Sequence, residues 1–373
     1  MLGSILLILV YLGLSSHGFG HAARQAAVLQ ALHALQPRWR LVVSCAVDPG
    51  FFRLVFQGLP VEFRRCRWDV GMVQVDALSC DQPATLAALD HLNRSLPAQL
   101  DQEVRWIEAQ GCDVVVLGDI PPAIATLAQR LQSPLIWMGN FGWDDIYRDQ
   151  GEAFAVHRDA AASAYAQGSL LLRMPFDLAM DWGLPEQTIG LTSACPRPLP
   201  DGFQTTLRGS DAETVLLGFG GLGLRVAPSL FNRWPNHRFL VAPLADSKLN
   251  QELSALANVT LLPSAVRPLD VMPFCSRLIG KPGFSTFSEA MTAGVGLHVV
   301  ERTGFSEAAA LVRGLRQHGR HRCLDRASFD QGEWELDQPL LSPTDRPLPQ
   351  NGAAAAAAAI DALVMSQTRP KNN

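Results

Sequence analysis

The sequence has no surplus of positive charge. Its 31 lysines and arginines are outnumbered by 35 aspartates and glutamates, which gives a formal net charge of −4. A chain with this balance has no excess charge with which to neutralise a phosphate backbone or an anionic membrane surface. We therefore expect no sequence-independent binding to nucleic acid.

The sequence also lacks closely spaced cysteine pairs. Its seven cysteines are scattered, and none forms a C-x-x-C motif. An odd number of cysteines without ligand spacing argues against a zinc site and against a redox couple. We interpret them as small buried hydrophobes in a reducing compartment, which predicts a cytoplasmic protein.

No hydrophobic run is long enough to span a bilayer. The most apolar stretch, residues 5–14, is too short, and no lysine or arginine precedes it as in a signal peptide. We interpret it as a buried strand and predict no transmembrane segment. A signal peptide or an anchor is the alternative, and peripheral contact with a membrane stays open.

What is present is enough apolar mass for two domains. The chain has 373 residues, 48% of them hydrophobic, and short apolar runs alternate with helical patterns. This alternation predicts an α/β protein with parallel sheets covered by helices on both faces. The strands are predicted at residues 5–12, 41–47, 113–118, 135–138, 214–217, 238–242, 259–262, 277–279 and 296–300.

The domain boundaries follow from composition. We predict a first domain over residues 1–190, a linker over 191–210, a second domain over 211–350, and a terminal helix with its tail over 351–373. Three prolines within five residues at 196–200 exclude regular structure from the linker. The alanine run at 353–359 predicts the terminal helix, because alanine is the best helix former.

Two glycine-rich turns, at residues 15–23 and 218–223, each follow a predicted strand and precede a helical pattern. Glycines allow close approach of a ligand, and helix N-terminal amides favour phosphate. The second turn also matches G-x-G-x-x-G, which keeps an NAD(P)-dependent oxidoreductase as an alternative. A dinucleotide site needs an acid near the end of the strand that follows the turn. After the first turn, Asp48 comes somewhat late, and after the second turn, Asp246 lies beyond the strand. Glycines that only tighten the turns are the structural alternative.

A third turn, residues 280–283, leads into a helix that carries candidate ligand contacts. Ser285 and Thr286 fall at the helix start, where their hydroxyls cap the helix or meet a diphosphate. Glu289, one turn later, is suited to accept hydrogen bonds from a ribose diol, and Lys281 adds a positive charge. The alternatives are a plain helix cap and a solvated loop lysine.

Four segments resemble, in order, parts of the glycosyltransferase-like N-terminal region of plant arabinokinases, and more distantly UDP-glycosyltransferases and the peptidoglycan N-acetylglucosaminyltransferase. The segments are residues 17–24, 71–78, 140–144 and 280–286. The resemblance covers nearly the whole chain. It implies a GT-B fold: two Rossmann-like domains facing across a cleft, a C-terminal helix that crosses back, nucleotide sugar on the second domain and acceptor on the first.

The resemblance also implies residue roles. His21 matches the acceptor base and Asp119 the aspartate that orients it. The resemblance implies donor contacts at Gly220, Gly221, Ser285, Thr286 and Glu289. Lys281 and Gly283 of the third turn complete the predicted donor site. The sequence departs from the plant family in two places: residues 281–284 replace a His-Cys-Gly-Trp segment, and residues 305–307 stand where an Asp-Gln sugar contact is expected.

The residues themselves support part of this assignment. A neutral histidine is a suitable base near neutral pH, and a carboxylate on its other nitrogen fixes the tautomer. His17 competes with His21 for the role, and a loop histidine bonded to backbone is the alternative for each. Polar or amphipathic loop residues after probable strands are acceptor-side candidates, with turn capping as the alternative. They are Gln74, Asp76, Asn140, Trp143 and Asp144.

Together these observations predict an inverting, metal-independent, hexosyltransferase-like glycosyltransferase. It moves sugar from a nucleotide donor, UDP-linked by resemblance, to a small-molecule or lipid-linked hydroxyl acceptor, and it needs no cofactor besides that co-substrate. No Asp-x-Asp metal motif stands in a suitable position. A catalytically silent sugar-nucleotide-binding protein and the oxidoreductase are the alternatives.

Overall fold

The apolar runs form two parallel sheets in the computed structural model, which describes residues 7–17, 19–75, 78–209, 212–219, 226–244 and 246–368. The chain divides into two units. The first comprises residues 1–73, 81–192 and 349–373, and the second comprises residues 74–80 and 193–348. The short segment 74–80 thus groups with the second unit although both of its flanks belong to the first.

The first unit contains a seven-stranded parallel sheet in the order β3-β2-β1-β4-β5-β6-β7. Its strands are β1 Ile8–Leu14, β2 Arg40–Cys45, β3 Val61–Arg65, β4 Asp113–Asp119, β5 Leu135–Gly139, β6 Leu170–Arg173 and β7 Glu186–Thr188. Its helices are α1 Gly20–Leu35, α2 Pro49–Val55, α3 Gln82–Glu108, α4 Ala123–Leu131, α5 Trp143–Arg148, α6 Ala155–Tyr165 and the C-terminal α13 Gly352–Thr368.

The second unit contains a six-stranded parallel sheet in the order β10-β9-β8-β11-β12-β13. Its strands are β8 Glu213–Gly218, β9 His237–Val241, β10 Val259–Leu261, β11 Arg277–Gly280, β12 Gly296–Val300 and β13 His321–Leu324. Its helices are α7 Asp201–Arg208, α8 Ser247–Ser254, α9 Pro268–Val271, α10 Phe284–Thr292, α11 Ser306–His318 and α12 Arg326–Asp330. The predicted α/β class with two Rossmann-like sheets is confirmed.

The central strands show why apolar runs become parallel strands here. All seven residues of β1 are buried, because helices cover both faces of the sheet and leave no solvent-facing side. Helix α1 packs on α13, and Gln36 at the end of α1 donates to Asp361 at 2.8 Å. The C-terminal helix therefore belongs to the first unit, as the resemblance implies.

Two expectations about local structure are wrong. The proline-rich stretch is not devoid of regular structure: Pro200 precedes α7, which starts at Asp201, so the prolines lie before the helix and do not interrupt it. The cysteines are not uniformly buried. Cys45 and Cys66 are buried, whereas Cys195 is exposed on the same stretch.

None of the helices within the described ranges is long and apolar enough to cross a membrane. The predicted first strand begins at residue 5, but residues 5 and 6 lie outside the described residues. The tail after residue 368 lies outside them as well.

Candidate active site

The two sheets reverse their strand order at one point each, between β1 and β4 and between β8 and β11. Ligands of open α/β sheets bind beyond the carboxyl ends of the strands at such a switch point. In the first sheet the last residue pair there is Leu14 with Asp119, and in the second it is Gly218 with Gly280.

In the first unit the switch point brings together the predicted base and its partner. Strand β4 ends at Asp119, and His21 lies in the first turn of α1. The Nδ1 atom of His21 lies 2.8 Å from Oδ1 of Asp119, although 98 residues separate the two in sequence. The geometry is that of a histidine oriented by a carboxylate; its catalytic role stays a prediction.

Two further residues of α1 bind the same carboxylate. Arg24 donates from Nε to Oδ2 of Asp119 at 2.7 Å and from Nη2 to Oδ1, and Gln25 donates to Oδ2 at 2.6 Å. The sequence analysis did not select either residue. Their spacing contains the signal, since positions three and four after His21 lie on the same helix face.

This network sets the charge of Asp119, which is completely buried. Burial alone raises the pKa of a carboxyl group, but the charges of Arg24 and His21 and their hydrogen bonds favour the ionised form. The net effect holds the pKa of Asp119 well below its usual range. Asp119 is therefore a carboxylate at any physiological pH.

The tautomer of His21 follows from its neighbours. A carboxylate accepts only, so the contact with Asp119 is a hydrogen bond in the tautomer with a hydrogen on Nδ1 and the lone pair on Nε2. In that tautomer Arg24, which only donates, does not hydrogen-bond to Nδ1. Nη2 of Arg24 lies 3.1 Å from the same Nδ1. The imidazole is 7% exposed, so little of it reaches solvent.

His17 lies in a different set of contacts. Its Nδ1 accepts a hydrogen bond from the backbone of Met72 at 3.3 Å, and its ring meets Trp143 edge-on at 5.2 Å between centroids. Gly71 has φ of +68°, and a Cβ atom there would lie 2.5 Å from the His17 ring nitrogen. His17 is thus bonded to backbone, which was the structural alternative for a loop histidine.

Three of the acceptor-side candidates are buried in the first unit. Asn140 accepts from Nη1 of Arg24 at 2.8 Å, and Trp143 donates to Asp69 at 2.9 Å. Asp144 accepts from Trp182 at 3.1 Å through one oxygen, while its other oxygen is buried without a partner. Burial, with a contribution from Asp145, raises the pKa of Asp144 to about 6. Their role toward an acceptor stays a prediction.

Asp69 is a buried carboxyl group that the sequence analysis did not select. Besides Trp143, it accepts from the backbone of Ser16 at 3.3 Å and from the Ser15 hydroxyl. Burial raises its pKa despite these hydrogen bonds. Asp69 therefore hydrogen-bonds both to the chain after β1 and to Trp143 at the start of α5, and it interacts electrostatically with His21.

The remaining first-domain candidates are placed differently. Gln74 pairs with Cys80 as an isolated β-bridge in segment 74–80, which groups with the second unit. Asp76 lies outside the described residues, as do Gly220 and Gly221 of the second glycine turn. Among the described residues, no three His, Cys, Asp or Glu side chains cluster as metal ligands.

In the second unit, Gly280 ends β11 at the switch point. A Cβ atom at this position would lie 2.6 Å from the carbonyl oxygen of Gly218, so only glycine allows the two strand ends to approach so closely. Gly283 is the N-cap residue of α10 and has no side chain with which to cap the helix. The amides of its first turn, which includes Ser285 and Thr286, therefore point to the carboxyl edge of the sheet.

Two charged groups accompany this helix start. Burial, helped by Arg302, lowers the pKa of Lys281 to about 8, while Glu307 and Cys80 act against the shift. Burial raises the pKa of Glu289 to about 7. Within the described residues, neither group forms a salt bridge or a side-chain hydrogen bond. Among the residues that the structure describes, neither charge has a bonded counter-ion.

The two acids considered for a dinucleotide site, Asp48 and Asp246, are helix N-caps. Asp48 caps α2 through the amides of Gly50 and Phe51, at 2.8 and 3.0 Å. Asp246 caps α8 in the same way, at 3.0 and 3.1 Å. Neither carboxylate is therefore disposed to hold a ribose, which weakens the oxidoreductase alternative.

No protein-family model matches the chain. The chain is 26% identical over 344 residues to L-arabinokinase from Arabidopsis thaliana, a match that covers 86% of this chain and 31% of that protein. It thus spans about a third of the length of this relative.

Solved structures of glycosyltransferases are similar over nearly the whole chain. UGT89C1 from Arabidopsis thaliana is 13% identical with a TM-score of 0.61, covering 97% of this chain and 95% of that one. SnogD from Streptomyces nogalater is 18% identical with a TM-score of 0.57, covering 96% and 99%. UGT2 from Phytolacca americana is 13% identical with a TM-score of 0.58, covering 97% and 95%. The chain therefore has the GT-B fold of glycosyltransferases, with two Rossmann-like units.

Proposed function

We propose that the protein is a glycosyltransferase that moves a sugar from a nucleotide-sugar donor to a hydroxyl acceptor with inversion. The observation that supports this most is the 2.8 Å contact between His21 and Asp119 at the switch point of the first sheet. A histidine oriented by a carboxylate in a GT-B chain is suited to remove a proton from an acceptor hydroxyl.

The proposed reaction is a single displacement. Nε2 of His21 takes the acceptor proton while the acceptor oxygen forms a bond to the anomeric carbon of the sugar. The bond from that carbon to the diphosphate oxygen breaks, and the electron pair leaves with the diphosphate. Because the nucleophile attacks opposite the leaving group, the configuration inverts. The proton on His21 then passes to solvent.

The start of α10 supports a role in holding the leaving group. Amides at a helix N-terminus and a nearby cation stabilise developing negative charge. Lys281 supplies the cation, and Ser285 and Thr286 supply the helix start. No metal ion is needed in this scheme, because amides and lysine take over the neutralisation of the diphosphate.

Glu289 is proposed to bind the nucleoside. It stands one helical turn after Ser285, and a ribose diol offers the two hydroxyl donors that its carboxylate lacks. A UDP-linked donor is proposed because UGT2 was solved with UDP-2fluoro-glucose and UGT89C1 with UDP-L-rhamnose. The acceptor is proposed to be a small-molecule or lipid-linked alcohol.

A thermal-shift screen across nucleotide sugars, followed by detection of transfer to a panel of alcohols, tests the proposal. A donor at 100 times its Kd raises the free energy of unfolding by about 2.7 kcal/mol. The expected result is stabilisation by a nucleotide sugar and a glycosylated product that disappears in His21→Ala. His91→Ala, which removes an exposed histidine of the same unit, is the matched control.

Two other outcomes identify the alternatives. Stabilisation by a nucleotide sugar without any transfer product would identify a silent binding protein. Stabilisation by NAD or NADP but by no nucleotide sugar would identify an oxidoreductase instead.

A further inference from the structure

Arg24 binds the partner of the proposed base more extensively than the base itself does. Its guanidinium lies side-on against Asp119, with one nitrogen on each carboxylate oxygen, and Nη1 reaches Asn140 at 2.8 Å. Arg24 is 2% exposed and Asp119 is completely buried. A bidentate pair of this kind holds the carboxylate in one orientation.

The pair changes what Asp119 does to His21. A lone carboxylate beside a histidine favours the charged imidazolium, whereas a guanidinium at similar distance opposes it. Here the two unit charges are both close to Nδ1 of His21, with Oδ1 of Asp119 at 2.8 Å and Nη2 of Arg24 at 3.1 Å. Their effects on the charge of the imidazole therefore largely cancel.

In the described part of the chain, Asp69 and Phe141 also face His21. From the chain after β3, Asp69 interacts with it electrostatically at longer range, and its oxygens are hydrogen-bonded to Ser16 and Trp143. From the chain after β5, Phe141 presents its ring at 6.1 Å between centroids and contributes no charge. The balance at the imidazole is thus set mainly by Asp119 from β4 and Arg24 from α1.

We propose that Arg24 is a positioning residue of the transfer reaction. It fixes Asp119 against Nδ1 of His21 and offsets the charge of that carboxylate. His21 thereby keeps its hydrogen on Nδ1 and remains a neutral base whose Nε2 is ready to accept a proton. This inference rests on the proposed role of His21, but its test does not require turnover.

The test is a pH titration of the histidines by NMR in the full chain without substrate. In Arg24→Gln the carboxylate is unopposed, so we expect the His21 titration midpoint to move to higher pH by about 1 to 3 units. In Arg24→Lys the charge remains but the bidentate contact is lost. Its midpoint should stay near that of the parent protein, while kcat falls. The exposed His91 serves as an internal control and should not move.

A double variant, Arg24→Gln with Asp119→Asn, tests whether the charge of Arg24 offsets that of Asp119 at His21 or whether Arg24 has only a structural role. Removing both charges should leave the His21 midpoint within about half a pH unit of the parent value. This variant also covers the case in which Arg24→Gln alone fails to fold, because it leaves no buried charge unpaired.

The proposal is overturned if Arg24→Gln folds and its His21 midpoint equals that of the parent protein. It is also overturned if His21 titrates at clearly lower pH in the double variant than in the parent protein. That result would mean that Asp119 favours the imidazolium in the parent protein and that Arg24 does not offset it. Absence of transfer activity in the parent protein, with the expected midpoints intact, would refute the glycosyltransferase proposal and leave the role of Arg24 toward His21 in place.

Discussion

The carboxyl edges of the two sheets are built in opposite ways. At the first edge, Asp119 receives hydrogen bonds from three side chains of α1, so its buried charge is fully matched within the unit. At the second edge, Lys281 and Glu289 have no bonded partner among the described residues, and the pKa of each is shifted toward its neutral form.

This difference indicates a division of labour. A matched network keeps its geometry whether or not a ligand is present, which suits residues that must be aligned for chemistry. Buried charges without a bonded partner are stabilised when a ligand supplies that partner, and this arrangement suits binding. This difference fits the proposed function, in which the first edge carries the catalytic base and the second binds the nucleotide.

The largest effect is expected from His21→Ala. A positioned base contributes about 10² to 10⁴ in rate, so turnover should fall by that factor. Nucleotide affinity should not change, because the side chain belongs to the first edge. Steady-state kinetics and calorimetry, with His91→Ala as the control, measure the two quantities. A comparable loss of nucleotide affinity in His21→Ala would contradict the division of labour.

Asp119→Asn tests how much the hydrogen-bond network around Asp119 contributes to the free energy of unfolding. The substitution leaves the guanidinium of Arg24 buried without its counter-ion, and breaking a buried pair in this way costs about 3 to 5 kcal/mol. Urea denaturation at neutral pH should show this loss. Asp145→Asn offers a comparison, because its partner Arg148 is largely exposed at 3.6 Å. Equal losses in both variants would argue against a special role for the Asp119 network.

Glu289→Ala addresses the second edge. If a ribose diol loses its acceptor, nucleotide affinity should fall by about 1 to 3 kcal/mol, while the rate of the transfer step at saturating donor stays close to normal. Calorimetry with the nucleoside diphosphate measures the loss. Glu252→Ala, on an exposed part of α8 in the same unit, should bind normally. Unchanged affinity in Glu289→Ala would exclude the ribose contact.

The titration of Glu289 should also make the stability of the ligand-free protein depend on pH. Its pKa is about 7 in the folded protein and about 4.5 in the unfolded chain, so the folded state holds the proton longer. The free energy of unfolding should therefore fall as pH rises from about 4.5 to about 7, by about 2 kcal/mol. Glu289→Gln should flatten this part of the profile in urea titrations. A profile identical to that of the parent protein would show that the carboxylate is not buried enough to matter.

Lys281 gives the smallest predicted effect. With a pKa of about 8, it is charged at neutral pH and loses its proton just above. Affinity for a nucleoside diphosphate should weaken as pH rises through about 8, by up to about tenfold, because one charged contact is lost. Lys281→Met should bind more weakly at pH 7 and show no such slope. Lys248→Met, which changes an exposed lysine, is the matched control.

Much of the fold followed from sequence patterns. The apolar runs that became β1, β4, β8 and β11 are buried on both faces, so hydrophobicity alone identified the strands at both switch points. Strands with polar or exposed residues were missed, such as β3, three of whose five residues are charged, and β7, whose three residues are all exposed. For such strands, pairing with a neighbour rather than composition decides the structure.

The site was predicted in part. His21 and Asp119 were selected through resemblance, and the structure places them in contact. Arg24, Gln25 and Asp69 were not, because polar and charged side chains are ordinarily expected at the surface. Three acceptor-side candidates also proved to be buried, and each forms a side-chain hydrogen bond within the unit. Sequence could not show this, since it does not reveal which side chains face one another.

The sequence by itself determined the layout: two series of buried parallel strands, a helix that follows the first strand of the first series, and a helix starting after Gly283. These features depend on local hydrophobicity, backbone freedom and helix propensity, which are properties of short segments. The tertiary structure alone decided the chemistry at the first edge. It placed Arg24 against Asp119 across 95 residues of chain, and the charge that His21 experiences arises only from that juxtaposition, because electrostatic interaction depends on distance in space.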